Sequence, residues 1–543
     1  MQAFAALLDR LILTPSRNGK IKLMADYFSE TPDPARGWAL AAITRDLEIR
    51  GVKAGAIREM IEARMDPVLF RLSYDYVGDM AETVSLVWPD ERSGANRPPP
   101  LEDVVEALLD ANRVEGQRLV AGWMNDLDTT GRWALIKLVT GGFRIGVSSR
   151  LAKIALAEYG QVNITEIEEL WHGLTPPYES LFAWLDGTAE KPEPDMRAPF
   201  RPVMLAHPLI PKADRDNPDA VDPDLIVPEA FAAEWKWDGI RVQAASDGGE
   251  RRLYTRTGDD ISHTFPDVVA ALNFEGSIDG ELLVRRPDGG VAPFNELQQR
   301  LNRKTVSKKQ MSERPAFIRV YDLLVDGDED LRALSFRDRR TRLEAFIERF
   351  GSDRLDLSEL VPVETLGQLD SLRNDPPHPE IEGLMLKRWD SVYEPGRPKG
   401  PWFKWKRDPF LIDAVLMYAQ RGHGKRSSYH SDFTFGVWRP KQDEEGDELA
   451  PVGKAYFGFT DEELKQLDKF VRENTIERFG PVRSVTATKD FGLVLEVAFE
   501  GIHHSPRHKS GVAMRFPRIN RIRWDKPTAE ADRLETLENM IDA

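Results

Sequence analysis

The chain has 543 residues, of which 41% are hydrophobic and 30% charged, and its net charge at pH 7 is −16. This length is too great for one hydrophobic core and predicts about three domains. No cysteine is present, which excludes disulfides, thiolate metal sites and cysteine nucleophiles. No apolar stretch reaches the roughly 18 residues of a membrane helix, and no signal peptide opens the chain, so we expect a cytoplasmic protein without a membrane partner.

Residues 1–185 have the apolar periodicity of helices, with a break at Gly141 and Gly142. A serine can cap the helix that follows this break. A glycine-rich turn entering a helix exposes backbone N–H groups that can bind a phosphate. The polar residues around the turn are therefore candidate contacts to a nucleic-acid backbone: Arg144, Ser148, Arg150 and Lys153. A capped turn with surface charges explains them equally well.

Residues 187–202 are rich in Pro, Glu and Arg, and we expect a linker there. Short strands are predicted after it, together with a helix that begins at the N-cap Ser335. The predicted strands cover residues 231–236, 240–245, 252–256, 277–284 and 317–325.

Beyond residue 408 the pattern again predicts strands, at residues 412–418, 433–438, 453–459 and 493–499, with a helix at residues 461–479. This pattern is typical of a small oligonucleotide-binding barrel, and a sandwich would have a similar one. We therefore predict three domains: an all-α domain at residues 1–200, an α+β domain at 201–408 and a β-barrel domain at 409–543.

The most informative segment is residues 236–241, Lys-Trp-Asp-Gly-Ile-Arg. Apolar, strand-like residues precede Lys236, and an Asp-Gly turn bends the chain so that Arg241 can meet a phosphate. From average residue usage, K-x-D-G-x-R occurs by accident in about one chain in a hundred of this length, or fewer. An unprotonated lysine amine at such a place can attack the α-phosphate of a nucleotide and form a phosphoramidate.

Six further motifs follow in order, and each alone is a weak signal. Asp-Gly-Glu is more often a hairpin turn than a site, and lysines that alternate with aromatic residues are common on half-exposed strands. The motifs are Thr-Arg-Thr-Gly at 255–258, Asp-Gly-Glu at 279–281, Tyr-Asp-Leu-Leu at 321–324, Glu-Gly-Leu-Met-Leu-Lys at 382–387, Trp-Phe-Lys-Trp-Lys at 402–406 and Arg-Phe-Pro-Arg at 515–518.

In this order and spacing, the set resembles the nucleotidyltransferase motifs of the ATP-dependent DNA ligases. The resemblance covers about residues 200–525, and Arg-Ile-Gly-Val-Ser at 144–148 extends it into the helical region. It implies a DNA-binding domain, an adenylation domain and an oligonucleotide-binding (OB) domain. It also implies that Lys236 is adenylated by ATP, that AMP passes to the 5′-phosphate at a nick, and that the 3′-hydroxyl then displaces AMP.

The resemblance also implies roles for individual residues. Glu281 and Glu382 are carboxylates of the kind that Mg²⁺ prefers, with Mn²⁺ as a substitute, and the first also suits the ribose. Tyr321 offers a flat face to adenine. Lys399 is the alternative to Arg397, because the register there is uncertain by one residue. The predicted nucleotide-binding residues are Glu234, Arg241, Arg256, Glu281, Tyr321, Arg397, Lys404, Lys406, Arg515 and Arg518.

Alternatives remain within and outside this superfamily. An RNA ligase or an mRNA-capping guanylyltransferase would share the lysine motif, but a large helical domain in front favours duplex DNA. A non-catalytic nick-binding protein would have lost the nucleophile or its cationic clamps. A zinc-bearing NAD⁺-dependent ligase is disfavoured because the chain has no cysteine. We expect a monomer acting on nicked duplex DNA at the nucleoid, in replication, repair or recombination.

Two further basic features lie outside these motifs or extend beyond them. The cluster of His503, His504 and His508 is more simply a surface or nucleic-acid contact than a metal site, because no spaced carboxylate or thiol completes a metal-binding shell. A second basic run comprises Lys404, Lys406, Arg407, Arg421, Lys425 and Arg426. We also expect a hinge near residues 407–409, about which the barrel domain turns between reaction steps.

Overall fold

The computed structural model describes residues 1–89, 98–193, 197–210, 220–301, 303, 305–422, 429–441 and 445–542. Lys425, Arg426 and part of the expected linker lie outside these ranges. The chain groups into two compact units. One consists of Arg10–Leu47 and Arg144–Arg407, and the other of Met1–Asp9, Glu48–Phe143 and Asp408–Ala543. The boundary between residues 407 and 408 coincides with the expected hinge, whose motion stays a prediction, as does the division into three domains.

The N-terminal region is helical, as predicted, and its apolar stripes are buried. Phe4, Leu7, Leu8 and Leu11 are all buried along one face of the first helix. None of the helices in the described ranges is long and apolar enough to cross a bilayer. The helices are α1 (Gln2–Leu13), α2 (Arg17–Glu30), α3 (Ala35–Thr44), α4 (Ala54–Glu62), α5 (Pro67–Val77), α6 (Met80–Val87), α7 (Leu101–Asp110), α8 (Arg113–Asp126), α9 (Thr129–Thr140), α10 (Ser149–Gly160), α11 (Ile164–Leu170) and α12 (Glu179–Leu185).

The central region is built on two sheets with helices beside them. Its strands are β1 (His207–Pro208), β2 (Phe231–Trp237), β3 (Ile240–Asp247), β4 (Glu250–Thr255), β5 (Gly276–Val284), β6 (Ala316–Asp326), β7 (Glu329–Asp330), β8 (Leu355–Leu357), β9 (Leu360–Val361), β10 (Ile381–Arg388) and β11 (Trp402–Lys406). Its helices are α13 (Pro266–Val269), α14 (Phe294–Leu301), α15 (Lys308–Glu313), α16 (Phe336–Phe350) and α17 (Leu366–Asn374). The first sheet has the order β1-β11-β10-β2-β9, and the second the order β4-β3-β5-β6-β7 with β8 also paired to β6.

The Asp-Gly turn of the lysine motif joins these two sheets, because β2 belongs to the first and β3 to the second. At Gly239 a Cβ atom would lie 2.6 Å from the carbonyl oxygen of Leu282 on β5. Only glycine therefore fits where the turn passes this strand. The motif places the end of β2, with Lys236, beside the strand that carries Glu281.

The C-terminal region is a curled sheet consistent with an OB fold, as predicted. Its order is β14-β13-β12-β16-β15, and β17 pairs with both β12 and β20. The core contains the buried side chains of Phe433, Phe435 and Phe499. The elements are β12 (Phe410–Arg421), β13 (His430–Pro440), β14 (Asp447–Ala455), α18 (Asp461–Glu473), β15 (Thr475–Phe479), β16 (Val482–Val485), β17 (Val494–Phe499), β18 (Gly501–His504), β19 (Val512–Arg515), β20 (Arg518–Arg523) and α19 (Leu534–Asp542).

Two sequence predictions in this region were wrong. The helix expected at residues 461–479 ends at Glu473, where Asn474 caps it, and β15 begins at once. The β-branched Thr475 and Ile476 favour a strand, and β15 gains a full antiparallel partner in β16. The strand expected at residues 453–459 instead covers Asp447–Ala455.

Candidate active site

The side-chain amine of Lys236 forms an ion pair with the carboxylate of Glu382. The two side chains meet because β2 and β10 are neighbours, with Lys236 opposite Gly383. Lys406 on β11 lies 3.5 Å from the same carboxylate. Burial alone would raise the pKa of Glu382, but the two lysines lower it below its usual value. Glu382 is therefore an ionised carboxylate between two ammonium groups.

Glu281 lies on β5, directly opposite Arg241 on β3. Burial raises the pKa of Glu281 to about 7, against the effect of Lys236 and Arg241, and the charge of Glu382 adds to the rise. Within the described ranges, no group of three or more His, Asp or Glu side chains could hold a metal on its own. Mg²⁺ commonly takes one or two carboxylates together with substrate phosphates, and the pair Glu281 and Glu382 fits that requirement.

Arg241 is held by a buried polar network. Its guanidinium donates to the carboxylate of Asp279 at 2.5 Å, to the hydroxyl of Tyr393 at 3.1 Å and to the carbonyl of Met204 at 2.5 Å. Tyr393 also donates to Asp279, at 2.5 Å, and Asp279 is fully buried. The guanidinium is thus fixed in place before any substrate arrives.

Tyr321 on β6 has a buried cation against its ring. The amine of Lys387 lies 4.4 Å from the ring centroid and 2.5 Å from the carboxylate of Glu234. Burial lowers the pKa of Lys387, and Glu234 partly offsets this. Arg340 on α16 also contacts Glu234, at 3.3 Å. Glu234 is therefore buried between two cations, and Lys387 connects it to the predicted adenine-stacking tyrosine.

Cations are concentrated around Lys404 on β11. Burial and four neighbouring positive charges lower the pKa of Lys404 to about 8; those charges belong to Lys406, Lys236, Arg397 and Arg256. Burial and neighbouring arginines also lower the pKa of Arg256. Such a concentration of positive charge is unfavourable on its own, and a polyphosphate would relieve it.

Arg515 and Arg518 belong to the other unit. Arg515 ends β19, and its guanidinium lies 5.3 Å from the ring centroid of Phe516. Arg518 begins β20 and lies 3.8 Å from a carboxylate oxygen of Glu500. Two of the predicted histidines, His503 and His504, are exposed at the end of β18.

The four residues around the N-terminal turn have different surroundings. Ser148 caps α10 by accepting from the backbone N–H of Leu151 at 3.2 Å, as predicted. Arg144 is exposed and has a φ of 47°. Arg150 donates to Glu168 at 2.8 Å. Lys153 is buried, and its amine lies 4.3 Å from the ring centroid of Trp171.

The sequence analysis did not identify the buried residues that hold Arg241 and Glu234 in place, namely Asp279, Arg340, Lys387 and Tyr393. Asp279 and Lys387 lie inside quoted motifs, and their buried positions follow once those motifs are read as strands with alternating faces. Arg340 and Tyr393 are distant in sequence from the strands they support, and no local pattern marks them.

Comparisons with known proteins agree with this arrangement. Residues 224–406 match the family model described as the ATP dependent DNA ligase domain, and residues 426–526 match the ATP dependent DNA ligase C terminal region. A probable DNA ligase of Koribacter versatilis is 33% identical over 442 residues, covering 75% of this chain and 71% of the relative. A DNA ligase of Thermococcus onnurineus is 27% identical over 567 residues, covering 99% of this chain and 96% of the relative.

A solved structure described as Pmar-Lig_PreS3 has the same fold, with a TM-score of 0.59 at 14% identity; the match covers 96% of this chain and 99% of that one. The two central sheets and the C-terminal curled sheet are those of an adenylation domain together with a sheet consistent with an OB fold. The chain belongs to the ATP-dependent DNA ligase family. Its activity is ATP-dependent DNA ligation, with ATP and DNA as substrates, so the expectations of family, fold class and activity are confirmed.

Proposed function

We propose that Lys236 is the nucleophile that carries AMP, and that the enzyme seals nicks in duplex DNA. The contact between the Lys236 amine and Glu382, with Lys406 beside it, is the observation that carries this proposal. The amine loses a proton, its nitrogen bonds to the α-phosphorus of ATP, and the bond to the bridging oxygen breaks to release pyrophosphate. An oxygen of the 5′-phosphate at the nick then attacks the phosphorus of the lysyl-AMP, the P–N bond breaks, and the amine of Lys236 regains a proton. The 3′-hydroxyl attacks that phosphate and releases AMP.

The surrounding residues have complementary roles in this proposal. Tyr321 stacks on adenine, and Glu234 is held by Lys387 and Arg340 on the side of the base. Arg241, fixed by Asp279, contacts the nucleotide near the ribose and α-phosphate. These positions are set by buried contacts, so binding requires little side-chain ordering.

The cations provide the phosphate clamp. Lys404 and Lys406 lie on the strand beside β10 and face the charge that develops on the phosphates. Of the two candidates after residue 396, we propose Arg397 over Lys399, because the charge of Arg397 acts on both Lys404 and Arg256. Arg515 and Arg518 would assist pyrophosphate departure when the barrel domain closes on ATP.

Mg²⁺, or Mn²⁺ in its place, would be held by Glu281 and Glu382 together with substrate phosphates. Bound there, it would neutralise phosphate charge in the transition state. Before that, Glu382 keeps the amine of Lys236 in place through their ion pair.

We further propose a monomer with three domains, residues 1–200, 201–408 and 409–543, that contacts DNA mainly through phosphates. Arg144 and Arg150 are the N-terminal contacts that we retain, with Ser148 shaping the turn, whereas the buried Lys153 acts through packing on Trp171. We propose that the enzyme acts on nicked DNA in replication, repair or recombination, and that it does so in the cytoplasm, at the nucleoid.

Incubation with α-labelled ATP or GTP, followed by denaturing electrophoresis, tests the nucleophile. We expect label from ATP alone, and none in Lys236→Ala. The matched control is Lys309→Ala, which removes an exposed lysine of the same unit and should label normally. Label that persists in Lys236→Ala would refute the assignment, and label from GTP would favour a capping enzyme. Sealing of nicked DNA against nicked RNA then distinguishes a DNA ligase from an RNA ligase.

A further inference from the structure

A helical segment of the N-terminal region packs against the two turns that carry Arg256 and Arg397. The segment comprises α10, α11 and the 3₁₀ turn Trp171–Gly173, and it belongs to the same compact unit as the two central sheets. It reaches each turn at a glycine. The proposed nucleotide site therefore has neighbours from a part of the chain that precedes all of its motifs.

The first contact joins His172 to the Thr-Arg-Thr-Gly turn. Gly258 has a φ of 89°, and a Cβ atom there would lie 2.6 Å from both Cε1 and Nε2 of His172. The imidazole ring therefore lies against the backbone of Gly258, two residues after Arg256. The ring also packs against Phe200 and Tyr254, whose ring centroids are 5.0 Å and 5.6 Å away.

His172 makes this contact as an uncharged ring. Burial lowers its pKa to about 4, and the charge of Lys153 adds to this effect. Three carboxylates act in the opposite direction without reversing it, namely Asp46, Asp259 and Asp260. At neutral pH the ring therefore serves as a packing surface for the turn and not as a charge.

The turn is hydrogen-bonded within itself. The backbone N–H of Gly258 donates to the carbonyl of Thr255 at 2.9 Å, and the N–H of Thr255 donates to the carbonyl of Asp259 at 2.9 Å. The hydroxyl of Thr255 also donates to the carboxylate of Asp259, at 3.0 Å. These bonds enclose Arg256, so a contact that fixes Gly258 also fixes the backbone from which the Arg256 side chain extends.

The second contact joins Arg150 to the turn before Arg397. Gly396 has a φ of 91°, and a Cβ atom there would lie 2.7 Å from Nη2 and 2.8 Å from Nη1 of Arg150. Glu168 on α11 holds the guanidinium by accepting from Nε at 2.8 Å. The N–H of Gly396 donates to the carbonyl of Val203 at 3.0 Å. The guanidinium of Arg150 therefore lies against a fixed turn that leads directly into Arg397.

The two contacts converge on one group of cations. The charges of Arg256 and Arg397 both lower the pKa of Lys404, and the charge of Arg397 also lowers that of Arg256. These three cations are therefore close enough to interact. Directing several cations at the same phosphates requires that their backbones be held by other contacts.

We propose that His172 and Arg150 are positioning residues, which hold the turns of Arg256 and Arg397 so that both arginines meet the phosphates of ATP. The proposal rests on the proposed function, which assigns these two arginines to the nucleotide. Each positioning residue acts through the arginine beside it. Arg150 then serves the adenylation step, which takes place without DNA, in addition to the DNA contact proposed above.

Titration calorimetry of the full-length enzyme with α,β-methylene-ATP, without DNA, tests the role of His172. Arg256→Ala should weaken binding about tenfold or more, because it removes a charge-assisted contact to phosphate. We expect His172→Ala to weaken binding about threefold to tenfold, because Arg256 remains but is held less precisely. His172→Phe keeps a flat ring against Gly258 and should bind within about twofold of the wild type. The matched control is His263→Ala, which removes an exposed imidazole of the same unit and should bind normally.

The double variant His172→Ala/Arg256→Ala separates positioning from a general loss of structure. It should bind the analogue at most about twofold more weakly than Arg256→Ala alone, because the side chain that His172 positions is absent. Two effects that multiply would show that His172 acts independently of Arg256, and would overturn the proposal. Binding by His172→Ala equal to that of the wild type would overturn it as well.

Arg150→Ala is a second test, at a side chain that is 42% exposed and whose removal leaves the core intact. We expect about threefold weaker binding of the analogue, and no further weakening when the change is added to Arg397→Ala. The matched control is Arg342→Ala, whose side chain is 40% exposed and is also ion-paired, with Glu329 at 2.8 Å. Binding by Arg150→Ala equal to that of this control would overturn the proposal for Arg150.

Labelling of Lys236 distinguishes this proposal from the proposed function. At saturating ATP, His172→Ala should label at nearly the wild-type rate, and only the ATP concentration that gives half of this rate should rise. A lower maximal rate with an unchanged half-saturating concentration would overturn the positioning role. Absence of label from the wild type would instead refute the nucleophile, whereas calorimetry would still decide the roles of His172 and Arg150.

Discussion

Replacing Glu281 with Gln should stabilise the enzyme increasingly as the pH rises. Burial raises the pKa of Glu281 to about 7 in the folded protein, from a usual value of 4.5. A carboxyl group with a raised folded pKa binds a proton on folding between these two values, so its contribution to stability is fully present below about pH 4 and is lost as the pH rises through 7. Gln has no such titration and keeps a similar shape.

The size of the effect follows from the difference in pKa. About 2.5 units at 1.36 kcal/mol each give an upper limit of about 3 kcal/mol. Glu281 is partly exposed, and solvent screening reduces this to about 1–2 kcal/mol. The melting temperature of Glu281→Gln should therefore differ least from that of the wild type at pH 5 and exceed it by about 2–4 °C at pH 8. Differential scanning fluorimetry in a buffer series from pH 5 to pH 8.5 measures this difference directly.

The control is Glu359→Gln, at an exposed carboxylate of the same unit. Its difference from the wild type should not vary in the same way with pH. A Glu281→Gln difference that is flat from pH 5 to pH 8.5, or largest at pH 5, would refute the reasoning that burial dominates at this carboxylate. The variant should also lose adenylation activity, but the melting curve tests the electrostatics independently of catalysis.

Three further outcomes are expected. Lys387→Met should lower the free energy of unfolding by about 3–5 kcal/mol, because it leaves the buried carboxylate of Glu234 paired with Arg340 but without Lys387. Chemical denaturation measures the free energy of unfolding, and a loss below about 1 kcal/mol would contradict this expectation. The affinity for α,β-methylene-ATP should weaken as the pH rises from 7 to 9, because the pKa of Lys404 is lowered to about 8 and a neutral amine binds phosphate poorly. Titration calorimetry measures this affinity, and in Lys404→Ala it should vary less with pH. Tyr321→Leu should weaken binding of the same analogue by about 1–2 kcal/mol through lost stacking, and unchanged affinity would remove the tyrosine from the base site.

Much of the site could be predicted because its candidate reactive residues lie on short strands. A strand fixes the direction of each side chain, so Lys236 and Glu382 can be assigned from local sequence once a family order is recognised. The domain classes were equally accessible, since helical and strand periodicities differ. The end of α18 could not be predicted in the same way, because the preference of Thr475 and Ile476 for a strand is weak on its own, and β15 is stabilised by pairing with β16.

The sequence shows which residues are charged but does not show which of these side chains are exposed to a ligand. Lys153 and Arg150 are close in sequence and equally basic, yet one amine is buried on Trp171 while the other cation is paired with Glu168 near solvent. The pair Arg478 and Arg483 is a second example. Only the register of β15 and β16 shows that these two residues lie directly opposite each other. The surroundings of a basic residue therefore depend on tertiary contacts and strand register, which the local sequence does not show.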